Sequence, residues 1–133
     1  AIVDNLKLKY PHVKIYLIGT SNGTAATMVL SEKLDGKVAG FIHTSSLSSI
    51  GTLDTRNRIS RHLIVHHEED GCLATRYASA EYNHEKYGTD FISVSGGVTA
   101  GDPCQAFGHH GFNGIEEEVV GKIKQWVKEG DLK

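Results

Sequence analysis

The sequence predicts an α/β fold, a mostly parallel sheet with helices on both faces. Three observations carry the expectation. Four short β-branched or aromatic-rich runs are bounded by turn residues, helix-like segments lie between them, and Gly-rich spots fall where the periodic segments stop. Strand alternating with helix implies right-handed crossovers, and such crossovers make parallel sheets covered on both sides.

The elements follow in order. Residues Ala1 to about Lys9 form a helix fragment whose Ile2, Val3, Leu6 and Leu8 can cover one face of the next strand, and Tyr10-Pro11 marks a turn. The four apolar runs are Lys14 to Gly19, Val38 to His43, His62 to His66 and Phe91 to Val94. Helices are expected from Asn22 to about Leu34, from about Ala74 to Tyr87, and from about Asn113 to Lys128. In the last, Ile115, Val119, Ile123, Trp126 and Val127 recur at helical spacing, and Glu116, Glu117 and Glu118 occupy the first turn, where the helix dipole favours negative charge. Only Ser45 to Arg61 separate the second and third runs, too few residues for a large helical cap, so an open site is expected.

The 133 residues suffice for one compact domain, and without an internal repeat or low-complexity linker a single domain over residues 1–133 is expected. Net charge is −2 with neutral histidines, and scattered Lys and Arg give no electrostatic footprint for nucleic acid. No stretch approaches the roughly 18 consecutive apolar residues of a bilayer-crossing helix, so neither nucleic acid nor membrane is an expected partner; a small molecule is. Ala1-Ile2-Val3-Asp4 has neither an initiator Met nor the pattern of a signal peptide, and a removed or omitted upstream segment is expected. Cys72 and Cys104 fit either two buried thiols in a cytosolic protein or one disulfide in an exported one.

Loops at the carboxyl ends of parallel strands converge on one sheet edge, so chemistry is sought there. Directly after the first run, Gly19-Thr20-Ser21-Asn22-Gly23 matches G-x-S-x-G at a strand-to-helix junction. This motif lifts a serine hydroxyl clear of the sheet in a sharp turn, and side chains at Gly19 or Gly23 are expected to collide with neighbouring backbone. The Asn22 amide, at a helix start, can donate to a developing oxyanion.

A serine hydroxyl is a weak nucleophile at neutral pH and needs a base, which in turn needs an acid to fix its tautomer. Glu68-Glu69-Asp70-Gly71 follows the third run, and His109-His110-Gly111-Phe112 precedes the last helix, which gives the chain order serine, acid, histidine. Asp70 is preferred as the acid because it directly precedes a glycine that can turn the chain and has a short side chain. Glu68 and Glu69 are then a solvated loop face or hydrogen-bond partners. Either His109 or His110 can serve as the base. Serine, base and acid should form a hydrogen-bonded chain at about 2.6–3.2 Å, looser without ligand.

The histidines invite a metal reading through His66, His67, Asp70, His109 and His110. No H-E-x-x-H spacing is present, and adjacent histidines on a strand point to opposite faces, so no metal and no other cofactor is expected. His12, His43, His62 and His84 are expected at the surface or as satisfied structural residues, with Met28, Trp126 and the tyrosines in packing roles.

The segments Ile18-Gly19-Thr20-Ser21-Asn22-Gly23-Thr24, Leu63-Ile64-Val65-His66-His67 with Glu68-Glu69-Asp70-Gly71-Cys72, and Cys104-Gln105-Ala106-Phe107-Gly108-His109-His110-Gly111-Phe112 resemble the α/β-hydrolase superfamily. The likeness is to bacterial serine hydrolases of the dienelactone-hydrolase-like or esterase-like kind. It covers nearly the whole chain but only the carboxy-terminal part of that fold. The resemblance implies ester or related acyl-bond hydrolysis through Ser21, Asp70 and His110, since a histidine followed by Gly-Phe before the final helix is where such enzymes place their base. It further implies strands upstream of the elbow, and an upstream loop that supplies a second oxyanion amide. The first run is central in the full fold, so its outer edge is expected to pair with polypeptide outside this sequence, on a separate chain or an upstream segment. The chain alone is then expected to be poorly soluble and nearly inactive. A triad joining Asp70 to His110 also brings the Cys72 and Cys104 loops together, which implies a disulfide between them, with two free thiols as the alternative. A bridge favours a periplasmic or secreted location, free thiols a cytoplasmic one. The competing expectation is a non-catalytic module that keeps the fold without turnover, or a fragment that assembles only with its missing half.

Overall fold

A computed structural model describes residues 1–131. Four strands, β1 (Tyr16–Thr20), β2 (Gly40–Thr44), β3 (Arg61–His67) and β4 (Asp90–Val94), form one sheet in the order β1-β2-β3-β4. Every pairing is parallel, with Ile18 beside Ile42 and Ile42 beside Leu63. The helices are α1 (Ile2–Lys9), α2 (Gly23–Lys33), α3 (Tyr77–Tyr87) and α4 (Glu116–Gly130). This is the α/β architecture that the alternating pattern predicts.

Period-two alternation assigns the side chains of β3 to two cores. Leu63 and Val65 pack with Ile42, Val94, Phe112, Val119 and Trp126 beneath α4. Ile64 faces the other way, onto Ile50 and Ala80, with Met28 of α2 and Phe91 against them. Residues 62–67 are all buried, as a strand covered on both faces requires. At the amino end of the sheet, the Trp126 indole N–H donates to Asp90 Oδ2 at 2.7 Å, and the Arg61 guanidinium lies 3.8 Å from the Trp126 ring.

Two helix starts differ from the sequence expectation. α3 begins at Tyr77 rather than near Ala74 because the preceding residues are held in a loop: Cys72 N–H donates to Asp70 Oδ1, and Ala74 C=O accepts from Ser48 N–H. α4 begins at Glu116 rather than near Asn113 because Phe112 and Gly114 take left-handed φ values of 57° and 85°. α1 also departs from its expected role. None of its residues is buried, and a cavity of about 560 Å³ lies among Ile2, Val3, Leu6, Ile15, Leu17 and Leu30. Among the described residues β1 has a strand partner on one side only, and Ile18 is 57% exposed.

Candidate active site

The carboxyl ends of the strands bring three loops together. Ser21, the first residue beyond β1, has φ 53°, in the left-handed region that non-glycine residues rarely occupy. Its N–H donates to Thr44 C=O at 3.0 Å, and its own C=O accepts from Thr24 N–H and from Thr24 Oγ1 at 2.9 and 2.6 Å. Thr24 Oγ1 in turn accepts from Leu47 N–H at 3.1 Å, so the turn is tied to the segment after β2. Over-determination of this kind is what lets a strained φ persist.

The two glycines of the motif are not equivalent. A Cβ on Gly19 would lie 2.6 Å from Gly23 O and 2.7 Å from Thr27 Cγ2, whereas a Cβ on Gly23 would meet nothing within 4 Å. The expectation of a collision at Gly23 is therefore corrected. Gly23 sits exposed in the first turn of α2, and its carbonyl, not its Cα substituent, approaches Gly19. Asn22 precedes α2 in right-handed helical geometry, and its N–H donates to no group among the described residues.

Asp70 lies beyond β3 with no side-chain exposure. Its Oδ1 accepts from Cys72 N–H at 2.9 Å. Its Oδ2 lies 3.0 Å from His110 Nδ1, 3.0 Å from Thr75 Oγ1 and 3.0 Å from His66 Nε2. Burial alone raises a carboxyl pKa, but the hydrogen bonds from His110, His66 and Cys72 N–H outweigh it and hold Asp70 well below the usual carboxylate range. His110 is buried in the short turn His109–Gly111, and its C=O accepts from Ser45 Oγ at 2.6 Å. Ser45 itself has φ 43°. With Nδ1 on the acid, Nε2 is the nitrogen left to face a nucleophile. No hydrogen bond joins the His110 ring to Ser21 Oγ among the described residues. Of the expected hydrogen-bonded chain, the Asp70–His110 link is present and the Ser21–His110 link is not. His110 and Thr20, the residue before Ser21, line one cavity of about 280 Å³.

The neighbouring candidates have other partners. His109 stacks on His67 with ring centroids 4.1 Å apart, and its Nε2 lies 3.4 Å from Glu69 Oε2. His67 accepts Glu69 N–H on Nδ1 and donates Nε2–H to Gly96 C=O at 2.8 Å. Glu68 Oε1 accepts from Ser93 Oγ at 3.0 Å. Cys72 and Cys104 form a disulfide with Cα atoms 4.7 Å apart, joining the loop after Asp70 to the loop before His110.

Of the remaining histidines, His12 and His84 are exposed. His43 is buried between Thr27 Oγ1 at 2.8 Å and His62 Nδ1 at 3.1 Å. His62 is not fully satisfied, because its buried Nε2 has no partner. Burial, and then the neighbouring His62, lower the pKa of His43 to about 3. Burial, and then Arg58, lower that of His62 to about 4.

Three residues at the site escaped the sequence reading: Thr75, Ser45, and His66 as a partner of Asp70. Thr75 and Ser45 belong to no motif, and only the fold brings them to His110. His66 stands four residues before Asp70, a spacing that has no fixed meaning where a strand turns into a loop.

No protein-family model matches the chain, and no curated protein does. A search of solved structures finds an alpha-beta serine hydrolase homologue from Coxiella burnetii, with a TM-score of 0.55 and 17% identity over 72% of this chain. The match covers 46% of that protein's chain, so this chain spans about half of its length. The likeness establishes a shared α/β fold.

Proposed function

We propose that the chain is the carboxy-terminal catalytic part of a serine hydrolase that cleaves an ester or related acyl bond. The observation that carries the reading is a left-handed Ser21 on the same sheet edge as a buried Asp70–His110 pair. Ser21 Oγ attacks the acyl carbon while its proton passes to His110 Nε2, and the carbonyl electrons move onto oxygen. Asp70 accepts from His110 Nδ1–H and stabilises the imidazolium. Asn22 N–H donates to the oxyanion, aided by the amino terminus of α2. Collapse of the tetrahedral intermediate expels the alcohol, which takes its proton from His110. Water then repeats the attack on the acyl-enzyme with the same base and releases the acid. The disulfide supports a periplasmic or secreted location, because such bonds persist in oxidising compartments.

A fluorophosphonate probe followed by peptide mass mapping tests this reading. Wild type should label at Ser21, S21A should not, and H110A should label about a hundredfold more slowly or worse. No labelling, or labelling elsewhere, overturns it. A second reading, a fragment that turns over only with its other half, is favoured by the missing Ser21–His110 contact and by the half-length match. It predicts weak labelling that rises when the complementary polypeptide is supplied.

A further inference from the structure

The acid has a second histidine on it. His66 is fully buried on β3, and its Nε2 faces two groups that only accept: Asp70 Oδ2 at 3.0 Å and Thr75 C=O at 2.8 Å. Nε2 therefore carries the proton: its hydrogen bond runs to Thr75 C=O, and Asp70 Oδ2 lies beside it at 3.0 Å. The other ring nitrogen, Nδ1, is buried with no partner. A proton there would leave an orphaned donor on a buried cation, a costly arrangement, so the ring is neutral. Tyr77 of α3 stands edge-on against the ring with centroids 6.1 Å apart, and Ser93 is the strand neighbour on β4. The ionisable groups around His66 are thus Asp70, Tyr77, His110 through Asp70, and Glu68 through the Ser93 hydroxyl. None of them meets Nδ1.

We propose that His66 is a positioning residue for the acid, a neutral imidazole whose Nε2–H, held by Thr75 C=O, also presents its positive end to the Asp70 oxygen that receives His110 Nδ1–H. This rests on the proposed pairing of Asp70 with His110 as acid and base. The geometry gives His66 two effects. Together with Thr75 Oγ1 it holds Oδ2, from the β3 side, while Cys72 N–H holds Oδ1, which resists rotation of the carboxylate away from His110. It also takes part of the charge on Oδ2, so the His110 Nδ1–H hydrogen bond is weaker than it would be to a carboxylate oxygen without that donor. His66 touches no reacting atom and acts only through Asp70.

Histidine 15N–1H NMR on the resting protein tests this. In wild type at neutral pH, His66 should show the Nε2–H tautomer, with Nδ1 unprotonated. A proton on Nδ1 overturns the proposal. The His110 Nδ1–H resonance should move downfield in His66→Leu, where Oδ2 loses a donor, and return to its wild-type position in His66→Gln, whose amide N–H can replace Nε2–H. An unmoved resonance in His66→Leu, or a glutamine variant that behaves like the leucine one, overturns it. If His66→Leu fails to fold, the wild-type tautomer and the wild-type-like resonance of His66→Gln decide the matter. These signals need no turnover, so they stand or fall separately from phosphonate labelling at Ser21.

Discussion

The asymmetry between the two glycines of the elbow supports a sharp prediction. Replacing Gly19 with Ala puts a methyl group 2.6 Å from Gly23 O and 2.9 Å from Gly23 C, both backbone atoms of the first turn of α2. Backbone cannot rotate aside as a side chain can. Relief requires α2 to shift on the sheet, and Thr27, whose Cγ2 lies 2.7 Å from the same methyl position, also holds His43 Nδ1 through its hydroxyl. Overpacking of this severity costs about 3 kcal/mol. Gly23→Ala adds its methyl to open space at an exposed helix start, where reduced unfolded-chain entropy and better helix propensity stabilise by about 0.5–1 kcal/mol. The two substitutions, four residues apart in one motif, should therefore differ by about 4 kcal/mol and in sign. Urea unfolding followed by the fluorescence of buried Trp126 and by far-ultraviolet circular dichroism measures both. Equal losses in the two variants, or a Gly19→Ala variant as stable as wild type, would refute the steric account of the elbow.

Three further outcomes are expected. His43 and His62 have folded pKa values below those of the unfolded chain, so the unfolded state binds more protons as pH falls below about 6.5; stability is full above that value and should drop by roughly 2–4 kcal/mol between pH 7 and pH 5, and urea titrations at both pH values check it, a flat profile counting against the buried pair. Reduction of Cys72–Cys104, which closes a loop with a sequence separation of 32, should lower stability by about 4 kcal/mol, seen as a lower melting temperature in reductant and in the Cys72→Ala/Cys104→Ala variant; superimposable curves would dismiss the tie. The open edge of β1, with Ile18 on it, should make the isolated chain self-associate or precipitate, and sedimentation velocity that shows a stable monomer at high concentration would contradict the proposed pairing with further polypeptide.

Much of this fold was legible because its periodicities are strong. β3 is buried on both faces, so His62 to His66 reads as a continuous apolar run with interspersed histidines, and α4 displays Val119, Ile123 and Trp126 on one stripe. Local signals misled where a tertiary contact overrides helix propensity. Residues 74–76 are compatible with helix, yet Ala74 C=O is taken by Ser48 N–H and the disulfide holds Cys72, so the helix waits until Tyr77. α1 has apolar residues at plausible spacing but buries none, because amphipathic pattern states which face is apolar and not what that face meets.

Within the site, legibility divides along the same line. The sheet-edge placement of Ser21 and Asp70 is legible because a strand end followed by a glycine-containing turn fixes it. Both oxygens of Asp70 are in fact anchored from nearby sequence, by His66, Cys72 N–H and Thr75, all within five residues of it. His110 is placed differently. Its carbonyl is held by Ser45, 65 residues away, and its approach to Asp70 is reinforced by a disulfide between loops 32 residues apart. No local pattern encodes such contacts, so spacing alone does not separate His110 from His109. The same division has a physical consequence: loosening the disulfide or the Ser45 contact should displace His110 while leaving Asp70 in its cradle, so damage to this pair begins at His110.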